Sequence, residues 1–329
     1  MRFGAPGPKG APPATGAGRA LAGALDSATD AFRKADVYLE DAGVLAKLEP
    51  APEPAPAGPP GANGVSRGVS DVRARLQSLA LDDDAVWARE RVRQSSPDAP
   101  PAPWPVKVAY LSLCWVLDGL YAGRPIQRFW FLETVARMPY FSYISMLHLY
   151  ESLGWWRAGA GLRRVHWAEE WNEAHHLAIM EALGGDERWS DRALAAHASL
   201  FYYWVCVVAY LISPSLAYSF SELVEGHATD TYAQFLDDNE EALKALAPPR
   251  VALEYYAASD LYYFDALVTR AGEPVRRPVV QTLYDVFACV RDDEGEHIRT
   301  MAACRGDTLA AELAALRAEG GRRELGSGE

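Results

Sequence analysis

Two strings far apart in the chain, Glu173-Ala174-His175-His176 and Glu294-Gly295-Glu296-His297, both read Glu-x-x-His. Residues i and i+3 share a helix face, so each string can aim a carboxylate and an imidazole at one point. Two such helices, with one Glu from each of two more, form the six-ligand cage of a ferritin-like di-iron four-helix bundle. Four carboxylates balance the charge of two divalent ions, and hard oxygen donors with two imidazoles suit iron or manganese better than zinc or copper. Burying them without a cation would be costly. One such string is common on a solvated helix face; the second copy turns the reading toward metal.

Spacing leaves the other two carboxylates open. Glu133 and Glu151 share a helix but stand eighteen residues apart, roughly 27 Å at 1.5 Å per residue. A chain reversal near Gly154 sets Glu133 level with Glu173; a reversal at Gly159–Gly161 weakens that match. Glu222 and Glu225 sit one turn apart on a later helix, and spacing does not choose between them.

The frame that must hold these groups reads as helical throughout, so the fold class is all-α. From Pro105 onward the expected elements are Val106–Tyr121, Ile126–Leu153 with a kink at Pro139, and a third helix ending at Gly184-Gly185. Ser190-Asp191 is expected to cap an apolar helix to Ile212, and Ser213-Pro214 to open another that runs to Leu236. Helices over Val251–Thr269 and Val279–Cys304 complete the set, with an acidic turn at Asp237–Glu241 and a loop at Gly272–Pro278.

The 329 residues divide unevenly. Residues 1–100 are rich in Ala, Pro and Gly and read as an unstructured leader, with one short helix at Asp71–Leu81. Its weakly basic start has the composition of an organelle transit peptide, and of a plain tail equally. Residues 101–306 are dense in Leu, Val, Trp and Tyr and form the helical domain; 307–329 read as a C-terminal tail. The formal charge of −12 argues against nucleic acid as a partner. Four cysteines without a C-x-x-C pair read as buried thiols rather than a disulfide framework.

The wording around these residues resembles a known family. Leu132-Glu133-Thr134, Trp171 to His176, Leu223-Val224-Glu225-Gly226-His227-Ala228 and Arg291 to His297 are similar to the four iron-binding segments of the alternative oxidases. The plastid branch is nearer than the mitochondrial one. Supporting stretches include Leu147 to Arg157, Phe201-Tyr202-Tyr203, Asp260-Leu261-Tyr262 and Leu283 to Phe287, so the likeness spans about Val106 to Cys304. It implies Glu133, Glu173, His176, Glu225, Glu294 and His297 as ligands of two iron ions, and Tyr232 as a catalytic redox residue. It also implies Arg128, Leu132 and Thr231 at a quinol pocket, and His148, Asn172 and Asp293 as hydrogen-bond partners of the ligands. Gly226 departs from the pattern, where the plastid branch carries a larger polar residue; the Ala158–Leu162 loop is a second departure, in length.

The implied activity is oxidation of plastoquinol coupled to reduction of O2 to water without proton pumping. Ubiquinol in a mitochondrial inner membrane is the alternative. A di-iron hydroxylase or desaturase is a further rival, as is a helical scaffold with fortuitous Glu-x-x-His pairs. Leu194–Ile212 is long enough to span a bilayer. The resemblance instead implies additional helices lying in one leaflet, Phe201 to Trp204 in the interface, and a homodimer on the thylakoid membrane.

Overall fold

A computed structural model describes residues 73–306 apart from 74, 77, 98, 101, 156–159 and 258–277, together with a few isolated positions upstream. The described residues hold eight helices and no strand: α1 (Asp83–Gln94), α2 (Trp104–Tyr121), α3 (Pro125–Ser152), α4 (Ala160–Ala182), α5 (Trp189–Ile212), α6 (Pro214–Lys244), α7 (Arg250–Ala257) and α8 (Leu283–Arg305). The C-terminal tail, the Ala158–Gly159 part of the variant loop and the continuation of α7 toward Thr269 lie outside the described residues. So do most of the leader and the Asp260-Leu261-Tyr262 stretch.

Local chemistry sets the helix ends. Proline opens α3 and α6 at the first turn, where its missing N–H costs nothing. Ser213 caps α6 through its side chain, and Thr282 with Asp285 forms a reciprocal capping box on α8. Gly154 and Gly184 stop α3 and α4 with φ of 71° and 86°, a conformation that side chains with a Cβ resist. Helix α3 continues through Pro139.

Helix α3 packs along α4 and α5, and α6 packs along α8. Leu and aromatic residues fill the seam, with Phe129, Phe235 and Phe287 fully buried beside Tyr232. Helix α5 is different. It is the helix among the described residues long and apolar enough to cross a membrane, yet only 17% of its apolar window is buried. Leu200, Phe201, Trp204, Val208 and Leu211 stand exposed on it, as do Trp104, Val108, Leu111 and Trp115 at helical spacing on α2.

Three expectations need correction. The stretch assigned to an unstructured leader contains α1, whose buried residues are Val86 and Glu90. Its helix is held by charge rather than by an apolar stripe: Arg93 pairs with Asp230 at 2.9 Å, Asp83 with Arg128 at 2.7 Å, and Arg89 with Asp237. Helix α6 passes Leu236 and ends at Lys244, with Asn239 alone off helical geometry (φ −131°). There the Asn239 amide grips both backbone groups of Ala80, at 3.1 and 2.7 Å. Finally, α5 starts at Trp189 after Arg188, not under a Ser190-Asp191 cap; Asp191 is buried and pairs with Arg124.

Candidate metal centre

Helices α3, α4, α6 and α8 each deliver one Glu to a common point inside the bundle, and α4 and α8 add a His each. The ligand atoms form two groups: Glu133, Glu173, His176 and Glu294, then Glu173, Glu225, Glu294 and His297. Within each group the atoms lie within 4.8 Å of one another, and every residue is buried. Glu173 and Glu294 belong to both groups, so their two-oxygen carboxylates can bridge a pair of ions. Contacts cross between the halves: His176 Nδ1 lies 3.2 Å from Glu294, and His297 Nδ1 lies 2.8 Å from Glu173.

The carboxylates that spacing left open are separated here. Glu151 pairs with Arg163, and Glu222 with Arg305 at 3.0 Å, while Glu133 and Glu225 face the cluster.

The donor set fits a di-metal ion pair. Oxygens of Glu133, Glu173 and Glu294 and Nδ1 of His176 are buried without a hydrogen bond, an arrangement that proteins keep where a cation is held. Burial, then repulsion from Glu294, drives the Glu173 and Glu225 carboxyls well above their ordinary range. Burial also raises Glu294. Burial opposes charge on Glu133 as well, but the His176 imidazole beside it and the Tyr232 hydroxyl hold its carboxyl low. The imidazole of His297 is pushed down to about 3 by burial and by His176.

A polar collar aims the ligands. Asp293 Oδ2 accepts from His176 Nε2 at 3.0 Å, which turns Nδ1 toward the carboxylates. The same oxygen accepts from Asn172 at 3.2 Å and Tyr256 at 2.9 Å. His148, expected in this collar, stands exposed on α3. It is fifteen residues past Glu133, roughly 22 Å along the helix, and so beyond the level of the site.

Two tyrosines close the centre reciprocally. Tyr232 on α6 donates to Glu133 on α3, and Tyr140 on α3 donates to Glu225 on α6 at 2.6 Å. Tyr232 is also stacked on Phe129 with ring centroids 4.2 Å apart. Sequence reasoning missed Tyr140, although it follows Glu133 by the same seven residues that separate Tyr232 from Glu225.

Beside the candidate metal site lies a cavity of about 40 Å³, its wall including Leu113, Leu117, Leu132, Val135 and Val224. Glu133, Glu225, Glu294 and Tyr232 line it too. Of the expected pocket residues Leu132, Thr231 and Arg128, Leu132 is in this wall; Thr231 and Arg128 do not line it and instead contact His227, which does. Thr231 donates to the His227 carbonyl at 2.7 Å. Arg128 is 1% exposed and held by Asp83 and Asp118. Its guanidinium lies 3.3 Å from His227 Nε2; because guanidinium only donates, that nitrogen accepts and Nδ1 donates to Glu90 at 2.8 Å. Glu90 also accepts from Tyr110 at 2.6 Å. This Glu90–His227 network went unread because its carboxylate comes from α1.

Paired Glu-x-x-His helices with shared carboxylates define the class: a four-helix carboxylate protein whose donors could hold two metal ions. Comparison with known proteins narrows it. The alternative oxidase profile matches residues 115–305, and the chain belongs to that family. It is 52% identical over 194 residues to "Ubiquinol oxidase 4, chloroplastic/chromoplastic" of Arabidopsis thaliana, covering 59% of this chain and 55% of that protein. It is 28% identical over 197 residues to "Ubiquinol oxidase 1b, mitochondrial" of Oryza sativa subsp. japonica, covering 59% and 52%. To the Arabidopsis "Ubiquinol oxidase 1a, mitochondrial" it is 29% identical over 196 residues, covering 59% and 48%. The chain thus spans about half the length of the curated relatives it matches.

Proposed function

We propose that this chain is a non-haem di-iron quinol:oxygen oxidoreductase of the plastid type, oxidising plastoquinol and reducing O2 to water. One observation carries the reading: two four-ligand groups share Glu173 and Glu294 beside an apolar cavity. Identity of 52% to a plastid-named relative, against 28% to a mitochondrial one, favours plastoquinol over ubiquinol. Iron held by Glu133, Glu173, His176, Glu225, Glu294 and His297 would supply the electron storage that O2 reduction requires.

The protein's own groups do the rest. The apolar wall at Leu132 receives the quinol ring and keeps water from it. Tyr232 Oη, which faces the cavity and donates to Glu133, is the atom through which a quinol hydroxyl proton and its electron leave. Asp293, with Asn172 behind it, holds His176 in one tautomer so that Nδ1 stays on the metal side. Arg128 and Thr231 act from behind, by fixing His227 at the cavity wall.

The exposed apolar stripes of α2 and α5 fit a surface that sinks into one leaflet, where a lipid-soluble quinol reaches the cavity directly. We place the protein as a homodimer on the thylakoid membrane. The test is iron analysis of purified protein paired with quinol-dependent oxygen uptake and flotation with liposomes. The reading expects two irons per chain, uptake with a plastoquinol analogue and co-flotation. An iron-replete sample inert to every quinol would sink it, and oxygen inserted into a hydrocarbon would point to a hydroxylase instead.

A further inference from the structure

Beyond the metal ligands and the cavity, the described core holds a second buried polar cluster that the proposed reaction does not use. His166 and Glu169 on α4 are wholly buried, with Nδ1 of the one 2.9 Å from Oε2 of the other. His166 Nε2 lies 2.9 Å from the Tyr218 hydroxyl, and the Tyr218 and Tyr210 hydroxyls are 2.9 Å apart.

The rings form a file. Tyr140, bonded to Glu225, stacks with His166 at 6.4 Å; His166 stacks with Tyr218 at 5.6 Å; Tyr218 meets Tyr210 at 5.5 Å. Tyr210 stacks with Tyr150 at 6.1 Å, and Tyr150 faces Trp155 at 6.1 Å. Every ring but the last is at most 8% exposed; Trp155 is 67% exposed. The hydroxyls of Tyr218 and Tyr210 extend the His166 contact, Tyr150 donates to the Tyr210 carbonyl at 3.1 Å, and the file of rings runs on to a solvent-facing indole, a continuity that core packing alone does not require.

We propose that this file is an escape route, by which an oxidising equivalent stranded at the metal centre when quinol is lacking is carried to Trp155 and discharged outside the core. The inference rests on the di-iron reading above. An electron leaves Tyr218 and crosses the His166 and Tyr140 rings to the centre, which is reduced by one. Oxidation makes the Tyr218 hydroxyl a strong acid, so its proton passes to His166 Nε2, while Glu169 steadies the other ring nitrogen. Burial disfavours the charged imidazole, so the proton goes back to Tyr218 when that ring is refilled. The refilling electron comes through Tyr210 and Tyr150 from Trp155. The oxidised indole then takes one electron from a one-electron donor in solution, such as ascorbate.

The experiment uses the full chain loaded with Fe(II) and pulsed with O2 in the absence of quinol. Its readouts are freeze-quench electron paramagnetic resonance, peptide mapping of oxidised residues, and the quinol-dependent oxygen uptake that survives each pulse. Wild type should give an aromatic radical, oxidise at Trp155, and be protected by ascorbate. Trp155→Phe should keep the starting uptake rate, shift oxidation inward and inactivate several-fold faster per pulse, with ascorbate protection lost. Tyr210→Phe should stop oxidation of Trp155 while core oxidation rises.

The outcomes separate the two readings. A chain that turns over quinol but oxidises Trp155 no faster with iron than without overturns the escape route alone. A chain inert to quinol that still sends iron- and O2-dependent oxidation to Trp155 upholds the route and sinks the quinol reading. Trp155→Phe inactivating at the wild-type rate, with an unchanged oxidation map, also overturns the route.

Discussion

Tyr140 and Tyr232 are bonded across the centre, each to the carboxylate that its own helix does not carry. Replacing Tyr232 by Phe keeps its stack on Phe129 and removes only the hydroxyl. Quinol-dependent oxygen uptake is therefore expected to fall by roughly 10²–10⁴-fold with iron content unchanged; retained turnover would assign Tyr232 to packing. Asp293→Asn leaves the shape but weakens the acceptor for His176, Asn172 and Tyr256. It is expected to weaken iron binding about 10–100-fold in a chelator competition, and wild-type affinity would show that the collar is dispensable. At this scale the sequence was informative wherever a residue and its partner share a helix turn, as in the two Glu-x-x-His strings. Tyr140 was missed because its partner belongs to another helix, and no spacing along one chain announces that. His148 failed for the converse reason: it shares a helix with Glu133 but stands too many turns away.

At the scale of elements, proline and glycine marked the ends of α3, the close of α4 and the start of α6, because their backbone constraints act locally. Helix α1 was illegible, since what holds it are charges on α3 and α6 rather than an apolar stripe of its own. It also accounts for the departure at Gly226. A Cβ there would come within 2.3 Å of the Arg93 guanidinium, which reaches across from α1 to Asp230. Gly226→Ser should thus push Arg93 off Asp230, a shift that the end of a flexible side chain makes cheaply, and cost no more than about 1 kcal/mol, the worth of the pair it breaks. With Arg93→Ala already in place the serine should cost nothing further, giving a coupling of about 0.5–1 kcal/mol in a denaturation cycle. Strict additivity would mean that the glycine serves another purpose.

Across the whole molecule, buried titratable groups away from the candidate metal ligands shape the response to pH. Burial lifts the Glu169 carboxyl well above its ordinary 4.5 and holds His166 at about 3 instead of 6.5. Below 4.5 the carboxyl is protonated whether the chain is folded or not. Above that pH only the unfolded chain ionises, so stability is lost as pH rises. For the imidazole the sign reverses: above 6.5 both states are neutral, and below it only the unfolded chain gains a proton, so stability is lost as pH falls. The pair's contribution is level between those two values and declines on either side. Glu169→Gln should erase the alkaline decline, making the variant relatively more stable at pH 8 than at pH 6, by up to ~1.4 kcal/mol per unit. A thermal-melt profile parallel to wild type would refute it. The architecture carries one practical lesson for anyone cutting this gene down for crystallisation. A clone trimmed to the recognised stretch would begin at Trp115, inside α2, and discard Asp83 and Glu90 while keeping the Arg128 and His227 they serve. Arg128 would then rest on Asp118 alone and His227 Nδ1 would lose its acceptor, and a buried donor left unmet costs about 1–3 kcal/mol. The shortest well-behaved fragment therefore has to start upstream of Leu76, well before the first residue that the family profile matches.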